Sequence, residues 1–244
     1  MTVKKSTYFS NTKNILVSLI FIFPFVLLYE IICFFYFQGK SYQIRNSADV
    51  IIRDFFNLFG SFSDEIYSIT LFAILLFIYF INKAKNKKIS INYRYLILMF
   101  IEGIIFGFLL LLLLNDISIF YISENLYQSN LLLNLYLCIG AGIWEEILFR
   151  LLFFSFLYKI LKSFFKGQDI FALFLSIILS SILFSLFHYI GNNADIFTLN
   201  TFLIRTFGGI FLGLLYYYRG FGIVVISHIS YDFILVSLPL IYTN

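Results

Sequence analysis

The chain has 244 residues, of which 61% are hydrophobic and 12% are charged, and its mean hydropathy is +0.94. A water-soluble domain of this length cannot hide that much apolar surface, so the composition predicts a protein folded in a lipid bilayer. The formal net charge is only +4 and the chain has no basic stripe on a polar scaffold, which excludes nucleic acid as the expected partner.

Apolar segments that are long enough, or nearly long enough, to cross a bilayer recur along the whole chain. They comprise 14–37, 66–82, 95–114, 142–161, 170–190, 201–218 and 221–243. The first is expected to be an uncleaved transmembrane helix, because its apolar run is longer than the core of a signal peptide. We therefore predict an all-α polytopic membrane protein with about seven transmembrane helices, forming a single domain over residues 1–244.

Two further segments have helical character but do not qualify as spans. Segment 47–60 combines apolar residues with Arg53 and Asp54, a pattern that predicts an interfacial amphipathic helix. Segment 129–140 is apolar but short, so it either extends the fourth span or forms a separate half-helix.

Lys and Arg residues in the connecting segments are concentrated on one side of this topology. They lie before the first span, between the second and third, after the fourth, and between the sixth and seventh. Since positively charged loops stay in the cytoplasm, the N-terminus is predicted inside and the C-terminus outside. The abundance of Phe, Ile, Asn and Lys is typical of a low-GC bacterium, so we expect a multi-pass protein of a bacterial cell membrane.

Ionisable side chains within the spans indicate where function lies, because each costs about 2.5–3.5 kcal/mol at mid-bilayer on insertion scales. They are Glu30, Glu102, Glu145, Glu146, Arg150, His188, Arg205, His228 and Asp232. Glu30 and Arg205 lie near the outer ends of their spans, so a structural ion pair between them is expected. Glu102 is expected to take part in helix packing.

Helical spacing separates the remaining residues into pairs. Glu146 and Arg150 stand four residues apart and are expected to pair, which would fix this helix face of the site. Glu145 is rotated about 100° from its neighbour and has no local partner. A desolvated carboxylate of this kind suits a general base. His228 and Asp232 are also four residues apart, so the carboxylate can orient the imidazole.

Three short motifs follow one another on successive predicted helices: EExxxR at 145–150, FxxxH at 184–188 and HxxxD at 228–232. In this order they resemble the motifs of the CPBP family, the CAAX prenyl endopeptidases and bacteriocin-processing enzymes that are also called Abi proteins. The resemblance covers a catalytic core of about 140–235. In CAAX-processing members the third motif often ends in Asn, where this chain has Asp232.

The resemblance implies an intramembrane endopeptidase that cleaves a membrane-associated protein or peptide, such as a peptide pheromone or a bacteriocin precursor. Glu145 and His188 would bind and deprotonate the attacking water. His228 would stabilise the developing oxyanion, with Asp232 as the residue that orients it.

The residues themselves leave other functions open. Glu145, His188 and His228 could instead bind a divalent metal such as zinc with an open position for water, so the reaction is either metal-dependent or glutamate-dependent. A non-proteolytic immunity or regulatory scaffold of the same fold would bind its partner without cleaving it. A proton-coupled transporter is disfavoured, because the sequence has no inverted repeat.

Overall fold

The computed structural model describes residues 7–38, 44–58, 92–114, 131–191 and 194–242 of the chain. Every regular element in these ranges is a helix, which confirms the predicted all-α fold. In chain order the elements are α1 Tyr8–Thr12, α2 Ile15–Phe37, α3 Ser47–Asn57, α4 Tyr93–Leu114, α5 Leu131–Gly140, π1 Ala141–Glu145, π2 Ile147–Phe154, α6 Ser155–Phe164, α7 Asp169–Phe187, α8 Leu199–Arg219 and α9 Phe221–Tyr242.

The described helices match the lengths that a bilayer requires. Helices α2, α4, α7 and α8 are each long and apolar enough to cross a membrane. Helix α9 is apolar as well, over Phe221–Ser237. These helices confirm a polytopic membrane protein, while the predicted span 66–82 lies outside the described residues.

Helices α5, π1, π2 and α6 form one continuous helical run, so segment 129–140 extends the fourth span from Leu131 onward. The glycines in this run allow close packing instead of breaking the helix. A Cβ atom at Gly140 would collide with the ring of Tyr29, and one at Gly142 would collide with Ile229. The central part of the run, π1 and π2, has wide π-helical turns, which are frequent at functional sites.

Helix α9 is the central helix of the bundle, packed against α2, α4, α5, π1 and α8. Its residues 223–226 are 0–1% exposed, as expected for a helix that is apolar on all sides and surrounded by others. Glycines allow helices of the bundle to approach closely, α4 against α9 and α8 against α7. A Cβ atom at Gly107 of α4 would lie 2.7 Å from the carbonyl oxygen of Ser227, and one at Gly209 of α8 would lie 2.9 Å from the Cβ of Ser181.

Glu102 takes part in helix packing, as expected, through an ion pair at one end of α8. Its Oε2 accepts hydrogen bonds from Nη2 of Arg219 at 2.7 Å and from the hydroxyl of Tyr8 at 2.5 Å. Burial, followed by the bond to Glu102, raises the pKa of Tyr8, so this hydroxyl keeps its proton and remains a donor. The contacts join the short α1 to the bundle.

Four charged residues join α2 to α3 and to the residue Arg45 before it. They are Glu30, Arg45, Asp49 and Arg53, which we call the α2–α3 ion cluster. Arg53 contacts Glu30 at 2.9 Å and Asp49 at 2.8 Å. Arg45 contacts Glu30 at 3.3 Å and Asp49 at 3.2 Å. Although burial alone would lower the pKa of Arg45, the carboxylates of Glu30 and Asp49 raise it. Asp49 and Arg53 are thus turned toward the protein beside Ala48 and Ile52, whereas Val50, Ile51 and Phe55 are exposed.

The expected ion pair between Glu30 and Arg205 is wrong. Glu30 is held by the guanidinium groups of Arg45 and Arg53. Arg205 instead pairs with Asp195 at 2.5 Å, in the segment that precedes α8. The two predicted partners share a depth along their helices, but depth does not specify which side of the bundle each helix occupies.

Replacing Asp49 with Ala is expected to destabilise the protein by about 3 kcal/mol, because it removes a fully buried carboxylate that two guanidinium groups contact. Thermal unfolding of the purified protein in detergent would measure this loss. Asp169→Ala is the matched control, since the pair between Asp169 and Lys162 is exposed and should contribute little. Equal unfolding temperatures for the two variants would contradict the prediction.

Candidate active site

A cavity of about 440 Å³ lies inside the bundle, between the start of α3 and helices α4, α5, π1, α7, α8 and α9. Its wall is mainly apolar, with a few polar groups, as is typical of ligand sites. Four of the six residues predicted from the motifs lie on this wall: Glu145, His188, His228 and Asp232. The other two, Glu146 and Arg150, are 0% and 1% exposed and lie behind it.

Glu145 ends π1 and is 6% exposed, facing the cavity. It has no partner on its own helix, as its position predicts. Its Oε1 instead accepts a hydrogen bond from Nδ2 of Asn46 at 2.8 Å. This carboxylate is therefore held by a neutral amide, whereas its neighbour Glu146 is held by a cation.

Glu146 and Arg150 form the predicted pair, with Oε1 and Nη1 at 2.8 Å. The guanidinium also donates to the carbonyl oxygen of Gly209 at 3.3 Å and lies 4.6 Å from the ring centre of Phe184. A fully buried carboxylate needs such partners, since an unpaired charge away from water is costly. The pair fixes π2 against α7 and α8.

His228 lies between two carboxylates. Its Nδ1 is 2.8 Å from Oε1 of Glu146, and its Nε2 is 3.5 Å from Oδ2 of Asp232. The sequence predicted that Asp232 orients this ring, yet Glu146 is the closer carboxylate. The two predicted pairs are thus one connected group, because Glu146 also contacts a histidine that lies 82 residues further along the chain.

His188 follows the last residue of α7 and contributes its imidazole to the cavity wall. Its Nδ1 lies 2.9 Å from the carbonyl oxygen of Phe184. Since a carbonyl can only accept, the proton of a neutral ring must be on Nδ1, which leaves Nε2 as an acceptor. His188 and Glu145 are on the same wall, without a direct hydrogen bond in the described structure.

The candidate metal ligands Glu145, His188 and His228 do not fit a metal site in this arrangement. Both nitrogens of His228 face carboxylates, so only Nε2 of His188 remains as an imidazole acceptor at the cavity. Across the described ranges, the structure has no group of three His, Cys, Asp or Glu side chains positioned to hold a metal ion. The described geometry thus offers no ligand set for zinc.

Asn46, Asp195 and Arg205 also lie on the cavity wall, and the sequence analysis assigned none of them to the site. Arg205 lies 5.4 Å from the ring centre of Tyr189 and pairs with Asp195. Asn46 precedes the amphipathic segment and caps α3. An Asn at this position indicates the start of a helix, but no sequence signal connects it to Glu145.

The fold and the site together define a class: a polytopic helical membrane protein whose apolar interior encloses carboxylates and imidazoles around a cavity. A family model described as "Type II CAAX prenyl endopeptidase Rce1-like" matches residues 127–234, a range that includes all three motifs. The predicted resemblance to the CPBP family is thereby confirmed, and this part of the chain is similar to CAAX-type intramembrane proteases. No curated protein and no solved structure matches the chain.

Proposed function

We propose that the protein is an intramembrane endopeptidase that hydrolyses a peptide bond of a membrane-associated protein or peptide. The observation that carries the proposal is the position of Glu145 and its hydrogen-bond partner. Its carboxylate lies on the cavity wall and is held by the amide of Asn46. A carboxylate without a cationic partner remains able to accept a proton, which is what a general base requires.

The cavity wall also supports a complete hydrolytic step. A water bound by Glu145 and by Nε2 of His188 gives a proton to Glu145, and its oxygen attacks the substrate carbonyl carbon. When the carbon–nitrogen bond breaks, Glu145 returns that proton to the leaving amine. The base is thus regenerated at the end of each cycle.

His228 is proposed to stabilise the oxyanion of this step. This role requires the doubly protonated ring, with Nδ1–H donated to Glu146 and a proton on Nε2. The separation of 3.5 Å between Nε2 and Asp232 is too long for a strong hydrogen bond, so the Nε2–H is available to a substrate oxygen. Glu146 holds the ring from the other side at 2.8 Å, and Arg150 holds Glu146. This assigns Glu146 and Arg150 to positioning the ring.

The cavity favours an apolar substrate segment, because leucines from three helices, Leu110, Leu137 and Leu212, line its wall. We propose a peptide pheromone, a bacteriocin precursor or a membrane-protein segment as the substrate, in a bacterial cell membrane with the N-terminus cytoplasmic. The proposed catalytic core is residues 140–235 within one domain of residues 1–244.

Comparative peptidomics of membranes from a wild-type strain and a Glu145→Ala strain would test the proposed function. We expect a set of peptide fragments that occur only in the wild type and that the purified protein reproduces in proteoliposomes. Binding of the precursor peptide without cleavage would contradict the proposal and indicate an immunity or regulatory scaffold. Ion flux without cleavage would indicate a transporter.

Chelators are expected to leave the cleavage rate within about two-fold of its untreated value, since the described site has no set of ligands that would hold zinc. The measurement is peptide cleavage in proteoliposomes after incubation with 1,10-phenanthroline or EDTA. The non-chelating 1,7-phenanthroline is the matched control. Loss of activity that added zinc restores would contradict the glutamate-dependent mechanism.

A further inference from the structure

We propose that Asn46 is a positioning residue that holds the Glu145 carboxylate in the orientation needed for proton abstraction. The inference rests on the proposed function of Glu145, and it assigns a role to a segment outside the matched residues 127–234. Asn46 lies on the cavity wall directly before α3, and its Nδ2 is 2.8 Å from Oε1 of Glu145.

The orientation of the Asn46 amide is fixed by a second hydrogen bond. As the N-cap of α3, Asn46 accepts the backbone N–H of Ala48 on its Oδ1 at 2.9 Å. A flipped amide would direct its NH₂ group at that N–H and its oxygen at the Glu145 carboxylate. Capping of α3 therefore forces the donor side of the amide toward Glu145.

The backbone around Asn46 is also held firmly. Its N–H donates to the hydroxyl of Tyr29 at 3.4 Å, and that hydroxyl donates to Asp49 at 3.2 Å. Tyr136 donates to the carbonyl oxygen of Ile44 at 2.7 Å, and the rings of Tyr136 and Tyr29 stack with centres 4.6 Å apart. Together with the α2–α3 ion cluster, these contacts give the amide a defined place.

A neutral donor suits this position better than a cation would. The amide fixes the direction of one carboxylate oxygen of Glu145 without placing a positive charge beside it. Arg150, in contrast, places a full positive charge beside Glu146. The contrast accounts for the two roles proposed for adjacent glutamates.

Asn14 is a matched control for Asn46, because it caps a helix but does not line the cavity. Asn14 caps α2 with the same geometry, its Oδ1 accepting the backbone N–H of Leu16 at 2.9 Å. Asn14 is not among the residues that line the cavity. The same substitution at positions 14 and 46 therefore separates capping from an effect on Glu145.

The test is peptide cleavage by Asn46→Asp and Asn14→Asp variants in proteoliposomes. Asp caps a helix as well as Asn does, so both helices stay capped. In Asn46→Asp, however, an acceptor-only carboxylate faces Glu145, and we expect kcat to fall about 10- to 100-fold with KM little changed. Asn14→Asp should retain the wild-type kcat. A wild-type kcat for a folded Asn46→Asp variant would overturn the inference.

A second variant and a measurement that does not depend on activity distinguish loss of the hydrogen bond from misfolding as the cause of a lower kcat. Asn46→Ser also keeps a capping side chain but is too short to reach Glu145, and a loss of kcat of about 10-fold is expected. Labelling of Glu145 by a hydrophobic carbodiimide, followed by peptide mapping, reports how readily this carboxyl group carries a proton. We expect faster labelling in both position-46 variants than in the wild type and in Asn14→Asp.

The two measurements distinguish the two proposals. If the wild type cleaves nothing but labelling rises in the position-46 variants, the proposed function fails and the positioning of Glu145 by Asn46 stands. If the wild type cleaves peptides and neither labelling nor kcat changes in the position-46 variants, the inference about Asn46 is overturned while the proposed function stands.

Discussion

Glu145→Gln is expected to abolish peptide cleavage, with a loss of at least about 10³-fold, while the protein stays folded in the membrane. The substituted side chain has the same shape and keeps an oxygen that accepts the hydrogen bond from Asn46. It cannot take a proton from water, so the attacking nucleophile is not formed. The loss therefore isolates the basicity of Glu145 from its packing.

Cleavage of a fluorogenic peptide in proteoliposomes measures this effect, with unfolding temperature as the check on folding. Glu102→Gln is the matched control, because Glu102 is another carboxylate within a span but lies away from the cavity wall and pairs with Arg219. This control should lose stability and retain cleavage per folded molecule. Retained activity in a folded Glu145→Gln variant would contradict the general-base role.

The spacing of charged residues along one helix could be predicted from the sequence, because the helical repeat is the same everywhere. It correctly placed Glu146 beside Arg150 and left Glu145 without a partner on its own helix. Contacts between helices could not be predicted in this way. The hydrogen bond from Asn46 to Glu145 joins residues 99 positions apart and depends on where α3 docks.

The same limit explains the wrong pairing of Glu30 with Arg205. A sequence gives the depth of a residue along its span, but the order of helices around the bundle depends on packing. The glycines of α4 and the uniformly apolar start of α9 bring these two helices together. That α9 is central could have been inferred, since residues 221–227 have no strongly polar face.

Arg150→Met is expected to destabilise the protein by about 3 to 5 kcal/mol, because it leaves the fully buried Glu146 without its guanidinium partner. Met roughly preserves the apolar volume of the side chain, so the loss reflects the charge more than a cavity. The contact between Glu146 and His228 remains, and we expect these two side chains to form a tighter ion pair. Thermal unfolding in detergent would measure the change.

The double variant Glu146→Gln/Arg150→Met removes both charges, and we expect it to recover most of the stability that Arg150→Met loses. Activity should not recover with it, because His228 then lacks the carboxylate that holds its Nδ1 at 2.8 Å. Unfolding temperature and cleavage of the same peptide, measured on both variants, separate the two effects. A double variant less stable than Arg150→Met would contradict the argument, since the cost would then lie in lost packing and not in an unpaired buried charge.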